Sequence, residues 1–133
     1  MPEQSDVPWI TKNLAKPKPE TESKIQKWLC EELRRHAIWY LNVHGHAMQR
    51  RGIPDVFALA NGRLYAIELK RGRGNNPTAL QQRELESLAS SGAEAMIARG
   101  RKGAKMALRA VLGDATAGEE PWLERVSPPS SER

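Results

Sequence analysis

The residues of this sequence best placed to do chemistry are two carboxylates and a lysine, Asp55, Glu68 and Lys70. Asp55 follows a proline in the run Arg51-Gly52-Ile53-Pro54-Asp55-Val56, and the other two stand in Ala66-Ile67-Glu68-Leu69-Lys70. Both segments read as strands, Asp55 to Ala60 and Arg63 to about Lys70, joined by Asn61-Gly62. Asn-Gly between two such runs predicts a tight hairpin, because both central positions of a type I′ turn need positive φ. With that turn Ala60 faces Arg63, and pairing continues outward until Asp55 lies directly opposite Glu68. Directly opposed residues share a sheet face with Cβ atoms about 4.5 to 5.5 Å apart, and like charges there are destabilising. Alternation puts Lys70 on the same face. So are Phe57, Leu59, Leu64 and Ala66, which leaves an acidic pair at one end of an apolar surface.

A divalent cation bridging the two carboxylates would compensate for their repulsion. Mg²⁺ suits such a site because it takes few carboxylates and keeps waters for a phosphate to replace. An ion held there can polarise a phosphoryl oxygen and activate water, and Lys70 can place that water or steady charge in the transition state. The chemistry indicated is phosphodiester hydrolysis. Glu-x-Lys alone would equally describe an ion pair on a strand surface, of little energetic worth. The Pro-Asp at the head of the preceding strand and the hairpin register favour a site. His44 and His46, two apart, suggest a histidine-metal nuclease less well, since no further ligand follows at a useful spacing. Nothing nearby suggests a carbonyl substrate for Lys70 as a covalent nucleophile.

The charge distribution fits such a substrate. Between Glu22 and Arg109 there are sixteen Lys and Arg against eight Asp and Glu, whereas the flanks taken together carry five against eight. A basic central region favours a polyanionic partner, above all nucleic acid. Arg50, Arg51, Arg71, Arg73, Arg99, Arg101, Lys102 and Lys105 are the candidate phosphate contacts. The single cysteine, Cys30, cannot form an internal disulfide, and no apolar run is long enough for a membrane span or signal peptide. A soluble protein of a reducing cytoplasm is expected.

Around the hairpin, 133 residues fit one domain. Residues 1–20, rich in proline, read as a loose arm, and residues 113–133 as a flexible tail, in which the apolar Trp122, Leu123 and Val126 could dock a short segment onto the domain or onto a partner but in a tail are more often of no consequence. The domain between, 21–112, opens with a helix over about 22–36, with Ile25, Trp28, Leu29 and Leu33 at helical spacing and Glu22 and Gln26 on the same stripe. From the pattern, Glu22 either complements the helix dipole or points into a site. Ile38 to Val43 is a strand. Thr78 starts a helix to about Ser90, with Thr78-x-x-Gln81 as a capping box. Ala93 to Ala98 is a strand and Ala104 to Leu112 a helix. The fold class is α/β, a mixed sheet flanked by helices.

Taken together, the Pro54-Asp55 run, the Glu68-x-Lys70 strand, and Thr78 to Gln81 followed by Leu85, Leu88 and Gly92 resemble the VRR-NUC branch of the PD-(D/E)xK nucleases, over about residues 21–100 including the Gly45 region. These virus-type replication and repair nucleases are common in phages and prophages. The resemblance implies a restriction-endonuclease-like core, dependence on Mg²⁺ or Mn²⁺, and homodimers similar to Holliday-junction resolvases. It makes Glu22 a third metal residue beside Asp55 and Glu68, and Gln81 a site glutamine beside Lys70. The expected activity is endonucleolytic cleavage of branched or structured DNA. The alternative is a nuclease-like module that binds DNA without cutting it.

Overall fold

The computed structural model describes residues 20–43 and 50–129. Most of the expected N-terminal arm, the His44-Gly45-His46 segment and the last four residues lie outside the described residues. Helix α1 (Glu22–Arg35) starts where the Thr21 hydroxyl caps the Lys24 N–H, and buries Ile25, Leu29 and Leu33 along one stripe. Strand β1 (Trp39–Asn42) leads to β2 (Val56–Ala60) and β3 (Arg63–Lys70), then α2 (Ala79–Ser90), β4 (Glu94–Arg99), α3 (Gly100–Val111) and β5 (Leu123–Val126).

The five strands lie in chain order, β3 and β4 parallel and every other neighbouring pair antiparallel. That arrangement follows from connection length. Asn61 and Gly62 both take positive φ, 52° and 75°, as a tight hairpin turn requires, whereas the parallel pair is joined through α2. The turn sets the register expected from it: Ala60 faces Arg63 and Val56 faces Ile67.

Alternation then divides the sheet. Val56, Ala58, Tyr65, Ile67, Leu69, Met96 and Ala98 form the main core with α1 and α3. Leu85 of α2 packs on Ala95 and Ile97 in a second, smaller cluster. Among the described residues no helix is long and apolar enough to cross a membrane.

Two expectations are corrected. Helix α3 begins at Gly100, not Ala104, because the basic, glycine-containing stretch before Ala104 is its first turn. The tail expected from residue 113 includes strand β5, paired with β4 from Ala95↔Val126 to Ala98↔Leu123. Leu123 is 3% exposed, so the apolar residues that stood out in this segment are what docks it.

Candidate active site

Asp55 precedes the first paired residue of β2, and continuing the register by one step sets it opposite Glu68. Because β2 begins only at Val56, the Leu69 N–H lies past the end of the β2–β3 ladder. The Asp55 carboxylate meets it there, Oδ2 accepting it at 2.8 Å. The Asp55 carbonyl accepts from Val43 N at 2.9 Å and from Gln26 Nε2 at 3.2 Å. Gln26 also donates to Asn42 Oδ1. The aspartate is therefore held at once from β3, from α1 and from the residue that follows β1.

Glu68 is 1% exposed. Among the described residues its Oε1 is the buried side-chain oxygen without a hydrogen-bond partner. Its Oε2 lies 3.5 Å from Lys70 Nζ. Burial first, and then the neighbouring charge of Asp55, pushes the Glu68 carboxyl up to about 8 against the opposing pull of Lys70. A carboxyl so disfavoured as an anion is an expensive thing to keep for structure alone, and perturbations of this kind cluster at functional sites.

Lys70 Nζ donates to Gln81 Oε1 at 2.9 Å, and the same oxygen accepts Thr78 N at 2.9 Å while the Thr78 hydroxyl accepts Gln81 N. Gln81 thus completes the capping box that starts α2 and steadies the lysine. The segment before Asp55 is fitted to the same helix. Gly52 has φ +80°, and a Cβ there would stand 2.7 Å from Leu80 Cγ and 3.2 Å from the Leu80 backbone. Arg50 pairs with Glu84 of α2.

The structure therefore brings Asp55, Glu68, Lys70 and Gln81 together. It does not gather Glu22 with them: among the described residues no three His, Cys, Asp or Glu stand close enough to share an ion. Glu22 is exposed in the first turn of α1, whose apolar stripe packs on the sheet face opposite Glu68. Gln26, one turn further on, is what reaches Asp55. It is 4% exposed. A glutamine on an apolar stripe was the signal in the sequence, since buried polar groups need partners.

The basic residues divide. Arg51, Arg71, Arg73, Lys102 and Lys105 are exposed. Arg101 is shared between Glu20 and the face of Trp28, and Lys102 stands 5.0 Å from the Trp122 ring. Arg99 was expected to contact phosphate, and this is corrected. It is 4% exposed and makes four side-chain hydrogen bonds, to Asn75, Asn76, Pro121 and Glu124, because the loop after Lys70 and the C-terminal segment meet over the end of β4.

A mixed sheet with helices on both faces, carrying an Asp opposite a Glu-x-Lys, defines a restriction-endonuclease-like nuclease fold. The sequence pattern of the archaeal Holliday junction resolvase (Hjc) family matches residues 32–114, more than half of the chain, and the chain belongs to that family. The match contains Asp55, Glu68, Lys70 and Gln81, and leaves out Glu22, Gln26 and β5. Two of the solved structures that share the fold illustrate it. One, a VRR_NUC domain, superposes with a TM-score of 0.55 at 22% identity over 63% of this chain and 89% of its own. The other, a VRR_NUC domain protein, gives 0.58 at 20% identity over 72% and 91%. No curated protein sequence matches.

Proposed function

We propose that this protein is a divalent-metal-dependent endonuclease that hydrolyses phosphodiester bonds in branched DNA, with Asp55, Glu68, Lys70 and Gln81 as its reactive centre. The observation that carries the reading is the buried Oε1 of Glu68, without a hydrogen-bond partner, on the residue that the register sets opposite Asp55. Two carboxylates with an oxygen to spare fit a hard cation such as Mg²⁺ or Mn²⁺, the remaining positions being left to water and substrate phosphate. When bound, the ion supplies Lewis acidity toward a phosphoryl oxygen and makes water a better nucleophile. The chain's own groups do the rest. The Asp55 carboxylate is aimed by the Leu69 N–H, and the Asp55 backbone carbonyl is tied to Val43 and to Gln26 of α1. Lys70, held by Gln81, presents an ammonium group to the charge that grows on the phosphoryl oxygens.

Phosphate contacts come from Arg51, Arg71, Arg73, Lys102 and Lys105, with Arg50 and Arg101 joining by exchanging their present carboxylate partners. A binding module would gain nothing from opposing two carboxylates beside such residues. Cleavage of linear, flap and four-way junction DNA, with Mg²⁺, Mn²⁺ and chelator, tests the proposal. Cutting confined to branched DNA with metal is expected. No cutting of any of the three with either ion would leave only a binding role. Reversing the charges of Arg71 and Arg73 should weaken binding and flatten its salt dependence, and an unchanged salt slope would move the phosphate contacts elsewhere.

The assembly that suits a junction's two related strands is a homodimer. Trp39, Leu41 and Leu59 are 55, 50 and 47% exposed, and Trp39 faces Leu59 while Leu41 faces Phe57. They make one apolar patch on the sheet face that carries Glu68, which supports a self-complementary contact. Light scattering at micromolar concentration should show a dimer that Leu59→Glu converts to monomer. A wild type that stays monomeric, with and without junction DNA, would contradict it.

A further inference from the structure

We propose that the C-terminal segment from Pro121 to Val126 is a positioning element for DNA binding, acting through Arg99 on the loop that carries Arg71 and Arg73. The inference rests on the nuclease reading above and adds a specific support to it. Arg99 stands beside Lys70 in the β3–β4 register. Its Nε donates to the Asn75 carbonyl at 2.8 Å and one Nη to Asn76 Oδ1 at 2.9 Å. The other Nη donates to the Pro121 carbonyl at 3.1 Å and to Glu124 Oε1 at 3.0 Å. Two anchors are thus in the loop that follows Lys70, and two are in the C-terminal segment. A guanidinium is a planar, rigid fork, so fixing one edge fixes the other. The Arg99 N–H also donates to the Trp122 carbonyl at 2.7 Å.

The loop needs such a post. Arg71-Gly72-Arg73-Gly74-Asn75-Asn76 has a flexible composition, and its two arginines are exposed. Ordering it only when DNA arrives would cost affinity, which a loop already held in place does not lose. The family match ends at residue 114, so the support comes from a part of this chain outside it. Arg99 and Glu124 touch no reacting atom and act only through the loop.

The test uses the full chain with Glu124→Ala, Asn76→Ala and the double variant on four-way junction DNA. Glu124→Ala should raise KM and the DNA Kd on the order of ten-fold and speed amide exchange across residues 71–76. Its kcat at saturating DNA should stay within about two-fold. Glu124→Gln, which keeps an acceptor at the same place, should restore most of the affinity. If both anchors act through Arg99, the double variant should lose little more than the worse single one. Unchanged KM and exchange in Glu124→Ala, a loss confined to kcat, or full additivity in the double variant would each overturn the proposal. Should the wild type cut no DNA, the nuclease reading fails separately. Binding and exchange still decide this one.

Discussion

On one face of the sheet Ile67 and Leu69 are sealed beneath α1 and α3; on the other, Glu68, between them in the same strand, is equally buried yet leaves a carboxylate oxygen unbonded. The covering differs as sharply as the residues. The first face joins the larger buried cluster, with residues from both helices and most of the strands. The second has Leu85 on Ala95 and Ile97 and an apolar patch of Trp39, Leu41 and Leu59 left exposed. Stability is concentrated on one face so that the other can carry groups that oppose folding. Period-two alternation lets a single strand do both.

The largest effects should separate the two faces at adjacent residues. Ile67→Ala should cost about 2 to 5 kcal/mol of folding stability, read from denaturant melts, while enzyme kept folded still cleaves. Asp55→Ala, Glu68→Ala and Lys70→Ala should each abolish cleavage and leave DNA binding within a few-fold, because affinity comes from phosphate contacts elsewhere. A variant of these three with full activity would remove its residue from the site. Ile67→Ala with intact stability would show that the faces are not divided as described.

A smaller effect belongs to Glu68 alone. Its carboxyl is raised from an ordinary 4.5 to about 8 in the folded, metal-free protein. Across that window the folded state holds a proton that the unfolded state has released, so stability must fall as pH rises, by at most about 1.4 kcal/mol per pH unit. Glu68→Gln should flatten the profile between these two values. Saturating metal should flatten it too, since a bound cation favours the charged form. Chelated wild type whose melting temperature is level across this range would show that Glu68 ionises as an ordinary carboxylate.

How much of this was legible in the sequence depended on how local its cause was. Asn61-Gly62 specifies its own turn, and the turn fixes register, so the opposition of Asp55 and Glu68 could be read from a few consecutive residues. Thr78 and Gln81 are likewise a local pair, three apart, and only the second bond, to Lys70, crosses the fold. Arg99 could not be read that way. Its acceptors lie more than twenty positions off in both directions, and in sequence it looks like one more member of a basic run. Strand β5 was hidden by the glycines and prolines around it, because a strand of four residues has no stability apart from β4 and shows little periodicity of its own. Gln26 was visible as a polar residue on an apolar stripe, but its partners Asn42 and Asp55 arrive from other elements. Glu22 shows the opposite case, a residue given a role by family resemblance whose helix packs on the far face.

The smallest effect is the most specific test of the shared metal site. Above pH 8 in chelator Glu68 ionises beside the charge of Asp55, and an opposed like-charged pair should cost about 0.2 to 1 kcal/mol. Asp55→Asn removes one charge while keeping an oxygen for the Leu69 N–H, so it should melt a few degrees higher than wild type, at about 4 to 8 °C per kcal/mol. Near pH 5 the difference should shrink, because Glu68 then carries a proton and there is little repulsion to relieve. Millimolar Mg²⁺ should reverse the order, since the wild type gains stability by binding the ion only when folded and the variant has lost a ligand. Melts of both proteins at the two pH values, with chelator and with Mg²⁺, separate these contributions. A variant that melts below wild type in chelator at high pH, with both proteins raised equally by Mg²⁺, would mean that the two carboxylates do not share an ion and that the catalytic proposal fails at its centre.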